Sequence, residues 1–254
     1  MEKTDTDNAL LRPIWKFFSY NWKFGLFIIL LLGIPRFILV LHANSSGAGY
    51  GLVSIIFIIM WFTPFIFLNK KGRYKIGLKK PENKYWLLLS FIIGTGFCAI
   101  MFLGANLLYG ETLDNSFVYI AKSYIVPQEA LDNSRFLLFI TFAISGMIFS
   151  PIGEEFLYRG VVHGSFVGEF GERKASFIDS AAFALTHLAH FGIVFDLGIW
   201  SMPVIPALLW ITGMFLLSQL LFICKQKSGS LFGAVIGHAG YNIAMIYLIF
   251  YHIF

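Results

Sequence analysis

The chain has 254 residues, 57% of them hydrophobic and 13% charged, a balance that excludes an ordinary water-soluble globular domain, in which about a quarter of the residues are charged. Its 29 phenylalanines are too many large apolar rings for an aqueous core and read as lipid-facing bulk. The formal net charge of +5 does not point to nucleic acid, because the basic residues gather in short stretches between apolar runs, as membrane-topology signals do.

In chain order, residues 1–23 lack the basic region, short apolar core and small-residue cleavage site of a signal peptide. Trp15, Tyr20 and Trp22 beside Lys16 and Lys23 read instead as an interfacial anchor on a surface segment. Spanning a bilayer takes about 20 apolar residues. On that basis the pattern predicts seven helices, roughly at 24–42, 51–69, 85–109, 136–163, 176–194, 199–224 and 230–252. Between the third and fourth, Leu113, Phe117, Ile120 and Tyr124 recur at helical spacing and predict a short interfacial helix. Cys98 and Cys224 fall inside apolar runs and form no readable disulfide framework. With no internal repeat, low-complexity tract or second domain, residues 1–254 read as a single all-α membrane domain, a polytopic transmembrane helix bundle.

Basic residues stay on the cytoplasmic side, so their distribution over the loops predicts orientation. Lys3, Arg12, Lys16 and Lys23 precede the first span, seven basic residues lie from Lys70 to Lys84, and Arg173, Lys174, Lys225 and Lys227 follow later spans. The alternate loops carry no charge (43–50), a mildly acidic mixture (110–135) and Asp196. This predicts a cytoplasmic N-terminus.

Ionisable residues at membrane depth are costly and mark functional sites. The fourth span carries SPIGEEFLYRG with Glu154, Glu155 and Arg159, the fifth FALTHLAH with His187 and His190, and the seventh GHAGYN with His238 and Asn242. The first span has only Arg36, beside Pro35 and read as lying near the outer end. At about 1.5 Å per residue from the cytoplasmic charges, His187 lies roughly 19 Å deep, His238 roughly 16 Å and Glu154 about 15–21 Å, so three helices bring their polar groups to one level. Glu155 and Arg159 share a helical face, while Glu154 is rotated toward another neighbour. Pro151 kinks the helix ahead of the acidic pair, and Gly153 permits close approach. A structural ion-pair triad is the plainer reading of Glu154, Glu155 and Arg159, but two carboxylates outnumber one arginine. His42, His163 and His252 are read as interfacial. A buried carboxylate can act as general base, one imidazole can share a water or protonate a leaving amine, and a second imidazole with a carboxamide can donate to an oxyanion. Ser145 and Ser150 have no evident basic partner and are poor nucleophile candidates.

The ordered blocks PIGEEFLYRG, FALTH and HAGYN, over residues 150–242, resemble the signature of the CPBP (Abi) family of intramembrane glutamic-type endopeptidases, which includes type II CAAX prenyl endopeptidase and bacteriocin self-immunity proteins. The resemblance implies an intramembrane endopeptidase in which Glu154 activates water with His187, His238 and Asn242 form the oxyanion site, and Glu155 and Arg159 support it. It also implies seven to eight spans, no cofactor and no metal, although two glutamates with two or three histidines are themselves zinc-type ligands. The expected partners are a membrane-associated protein or peptide substrate and the lipid bilayer, in a bacterial plasma membrane. The competing expectation is a non-proteolytic regulator or bacteriocin-immunity protein that binds a membrane partner. A transporter using these residues as a proton relay is disfavoured by the lack of repeats.

Overall fold

The computed structural model describes residues 9–47 and 49–254; Lys3 of the predicted basic N-terminus lies outside them. The fold is an all-α bundle. Helix α1 (Trp22–Ser46) starts where the Asn21 side chain accepts the amides of Lys23 and Phe24, and it stops at Gly47 in the left-handed conformation. There follow α2 (Gly51–Phe67), α3 (Lys70–Lys75), α4 (Tyr85–Tyr109) and the short α5 (Ser116–Lys122), capped by Asn115 and lying where the spacing of apolar residues predicts a helix. Helix α6 (Gln128–Glu154) leads into a π-helical turn (Glu155–Val162) and α7 (His163–Thr186). A 3-10 turn (His187–Ala189) and a small hairpin of β1 (Val194–Asp196) and β2 (Ile199–Ser201) precede α8 (Val204–Ser228) and α9 (Leu231–Leu248).

Among the described residues five stretches are long and apolar enough to cross a membrane, one of them the 62-residue run Gln128–Ala189, and the seventeen-residue α2 is a shorter apolar helix. The long run is two crossings. At Gly171 the backbone takes φ 73° and ψ 165°, a conformation that only glycine adopts cheaply. His163 and Asp179 would stand roughly 24 Å apart on one straight helix, yet their side chains meet at 2.7 Å. The chain therefore folds back at Gly171, which divides the run in two and makes seven long helical segments among the described residues. The fourth and fifth predicted spans are joined with no intervening loop, and the fifth ends near Ala189 instead of 194 because the hairpin takes up the next residues.

The two ends of the bundle differ. At one, the 68–84 segment ties to the α8–α9 turn through Leu231 N–H to Gly77 O at 2.9 Å and Glu82 N–H to Ser228 O at 2.9 Å. At the other, Lys122 pairs with Asp196, Tyr119 accepts the Phe195 amide, and Arg135 donates to the Phe250 carbonyl. The N-terminal segment is more than a surface anchor. Leu10 and Leu11 are buried, the Trp15 indole donates to Ile66 O at 2.8 Å, and the buried Tyr20 hydroxyl donates to Val161 O at 2.8 Å, inside the π-helical turn. Packing around the site is tight because small residues stand at the crossings: a Cβ on Gly94 of α4 would overlap the Gly237 carbonyl of α9, and one on Gly153 would sit 2.7 Å from the Phe57 carbonyl of α2.

Candidate functional site

Glu154 closes α6, and its side chain is fully buried. Its partner is Arg36, from the middle of α1. One terminal nitrogen of that guanidinium lies 2.7 Å from Glu154 Oε1, and the other donates to Thr186 Oγ1 at 2.8 Å. Arg36 is 1% exposed and rests over the Phe57 ring at 5.4 Å. Ser150, one turn before Glu154, also donates to Oε1, at 3.2 Å. His187 follows α7, with Nδ1 2.7 Å from the Phe183 carbonyl. A carbonyl only accepts, so Nδ1 carries the proton and Nε2 of the neutral ring is a bare acceptor. That Nε2 stands 3.6 Å from Glu154 Oε2, which has no hydrogen-bond donor of its own. Two acceptors thus face each other across the width of a shared donor. His190 joins this group, its Nε2 3.3 Å from Arg36 and its ring 5.6 Å from that of His187.

Glu155, the next residue, belongs to a separate buried network. His238 Nδ1 lies 2.8 Å from Glu155 Oε1, and Arg159 Nε lies 3.2 Å from Oε2 as the four-residue spacing predicts. Arg159 also faces Asp179 at 4.0 Å, and Asp179 meets His163 Nδ1 at 2.7 Å, whose Nε2 reaches Glu172 at 2.9 Å. Lys225 donates to the Arg159 carbonyl at 2.7 Å. The Phe183 ring lies between the two networks, 4.2 Å from His187, 5.9 Å from His238 and 4.4 Å beneath the Arg159 guanidinium. Asn242, one turn after His238, donates one amide proton to Gly146 O at 2.9 Å and keeps the other.

All four expected site residues, Glu154, His187, His238 and Asn242, line one open cavity of about 370 Å³, together with Arg36, Tyr50, Phe183 and His190. Several expectations change. His163 is not interfacial; it is 2% exposed and held between two carboxylates. The cavity walls reach Tyr50, Ile120 and Tyr124 at the end opposite the basic loops, while the Glu155–Arg159–Asp179 network lies on the basic side. The deficit of positive charge read from one helix does not exist in the fold, because Glu154 and Glu155 each have an arginine. Arg36 is the residue that counting missed. Helix α1 extends to Ser46, which puts Arg36 ten residues from its end, roughly 15 Å along the axis. Its signal was present as a lone charge in an otherwise apolar span. Among the described residues no group of three or more His, Cys, Asp or Glu side chains is placed to hold a metal ion; the cation between Glu154 and the two imidazoles is the Arg36 guanidinium.

Residues 136–244 match a family model described as type II CAAX prenyl endopeptidase Rce1-like. The match covers α7, α8, most of α6 and α9 up to Ala244, and it agrees with the CPBP family that the three blocks resemble. Over that segment the chain is similar to the Rce1-like family, and the apolar bundle around it is an integral membrane protein. No curated protein and no solved structure matches the chain.

Proposed function

We propose that this Rce1-like chain is an intramembrane endopeptidase that hydrolyses a peptide bond in a membrane-associated protein or peptide. The observation that carries the reading is the pair of facing acceptors 3.6 Å apart on the cavity wall, the unpartnered Glu154 Oε2 and His187 Nε2, which has only a 3.4 Å contact from Arg36. A water placed there gives one O–H to each and turns a lone pair toward the cavity, where the scissile carbonyl would lie. In the reaction the water oxygen bonds to the carbonyl carbon and its proton passes to Glu154. The negative charge that forms on the carbonyl oxygen is met by the free amide proton of Asn242 and by Nε2–H of His238 in its protonated form, which Glu155 supports at Nδ1. The carbon–nitrogen bond then breaks as the proton taken up by Glu154 passes to the leaving amine, giving a free amine and a new carboxylic acid that keeps the second proton of the water. Glu155 and Arg159 hold His238 in place.

The substrate segment occupies this cavity, whose walls reach Tyr50, Ile120 and Tyr124 at one end. Purified protein should cleave peptides that accumulate in membranes of cells lacking it, with the new C-terminus taking up one oxygen from labelled water. Accumulating peptides that the purified protein leaves intact, while it still confers its cellular effect, would replace the enzyme by a binding regulator.

A further inference from the structure

We infer that Arg36 is a positioning residue of this site, fixing Glu154 through Oε1 so that Oε2 is the oxygen turned to His187 and the water. The inference rests on the hydrolytic reading above and concerns a residue outside the matched segment 136–244. The guanidinium is a planar fork whose two terminal nitrogens are divided between two tasks. One holds Glu154 Oε1 at 2.7 Å. The other holds Thr186 Oγ1 at 2.8 Å, and Thr186 in turn donates to the Phe183 carbonyl at 2.8 Å. That same carbonyl accepts Nδ1–H of His187 at 2.7 Å and so sets its tautomer.

Arg36 therefore stands at the junction of a closed loop running through Thr186, the Phe183 carbonyl, His187, the proposed water and Glu154. The nitrogen on Glu154 has two protons and three acceptors within reach, the others being His187 Nε2 at 3.4 Å and His190 Nε2 at 3.3 Å. When a water takes up His187 Nε2, the second proton still has His190 to go to. Nothing in this arrangement needs Arg36 to touch the substrate. Its effect falls on how well the base and the water are aimed, and a misplacement of about 1 Å costs about 10²-fold in rate.

The test is Arg36→Lys, which keeps the cation but cannot serve Glu154 and Thr186 together, alongside Arg36→Ala. The lysine variant should melt near the parent, keep KM within about twofold and lose about 10²-fold in kcat. The alanine variant should regain activity saturably on adding methylguanidinium, which the adjoining cavity admits. A lysine variant with the parent kcat would overturn the inference. So would a loss of activity that merely tracks the loss of folded protein, with no rescue by methylguanidinium; Arg36 would then be only a tie between helices. Full activity in Glu154→Gln is a separate outcome, which removes the hydrolytic reading itself.

Discussion

Glu154 and Glu155 are adjacent in the chain and equally buried, yet their surroundings assign them different work. Glu155 has His238 hydrogen-bonded to one oxygen and the Arg159 guanidinium 3.2 Å from the other, while Glu154 has Arg36 on one oxygen and only the His187 imidazole, 3.6 Å away, beside the other, in a residue that lines the cavity. Replacing Glu154 by Gln should therefore lower the rate of peptide cleavage by roughly two to four orders of magnitude, because an amide cannot take the proton of water. It also strips Arg36 of its counter-ion, so thermal unfolding should show a loss of up to about 3–5 kcal/mol. The double variant Glu154→Gln with Arg36→Gln should recover much of that stability and none of the activity. Recovery of neither would separate the two residues energetically. Arg159→Ala leaves Glu155 and Asp179 facing each other without their shared cation and should cost about 3–5 kcal/mol, read as a lower yield of folded protein and a lower melting temperature. A variant that melts like the parent would mean that buried water already neutralises this network. The Glu155–Arg159 pair is legible in the sequence, since four residues on a helix share a face. The Glu154–Arg36 pair, 118 residues apart, is not, because no local period connects residues that only tertiary packing brings together.

At the scale of elements, the positions of apolar helices are well specified by composition, and α4 runs over the span predicted for it, Tyr85–Tyr109. What composition does not carry is a change of helical type. The turn Glu155–Val162 is π-helical, and such widened turns gather at functional sites because they rotate the side chains that follow out of the α register. Pro151 marks the region but not the outcome. The reversal at Gly171 was masked by the polar residues around it, which read equally well as a loop. Where helices cross, glycine decides the distance. Gly94→Ala in α4 sets a methyl group against the Gly237 carbonyl, one residue from His238, and should cost about 1–3 kcal/mol as α4 and α9 move apart. A parallel assay should find activity falling with it, since α9 carries both His238 and Asn242. Unchanged stability would show that the crossing has slack the structure does not display.

For the whole molecule, the cavity and the charges point to opposite ends. Lys70 to Lys84, Arg173, Lys174, Lys225 and Lys227 lie at the end where the 68–84 segment meets the α8–α9 turn, and the positive-inside rule predicts that this end faces the cytoplasm. The cavity instead reaches Tyr50, Ile120 and Tyr124, beside the segment carrying Glu111, Asp114, Glu129 and Asp132. With the basic end in the cytoplasm, a substrate entering past Tyr50, Ile120 and Tyr124 would come from the opposite side of the membrane, which labelling can test. Both native cysteines are buried, so single cysteines introduced at Lys80 and at Glu111 can be followed with a membrane-impermeant maleimide in intact cells. The Glu111→Cys protein should label from outside and the Lys80→Cys protein only after the membrane is opened. Tyr124→Cys, on the cavity wall, should label from outside more slowly than Glu111→Cys and lose that labelling when a cleavable peptide occupies the site. The reverse pattern at positions 80 and 111 would turn the bundle over and bring the same cavity to the cytoplasmic face, leaving the chemistry at Glu154 and His187 in place but changing which proteins can reach it.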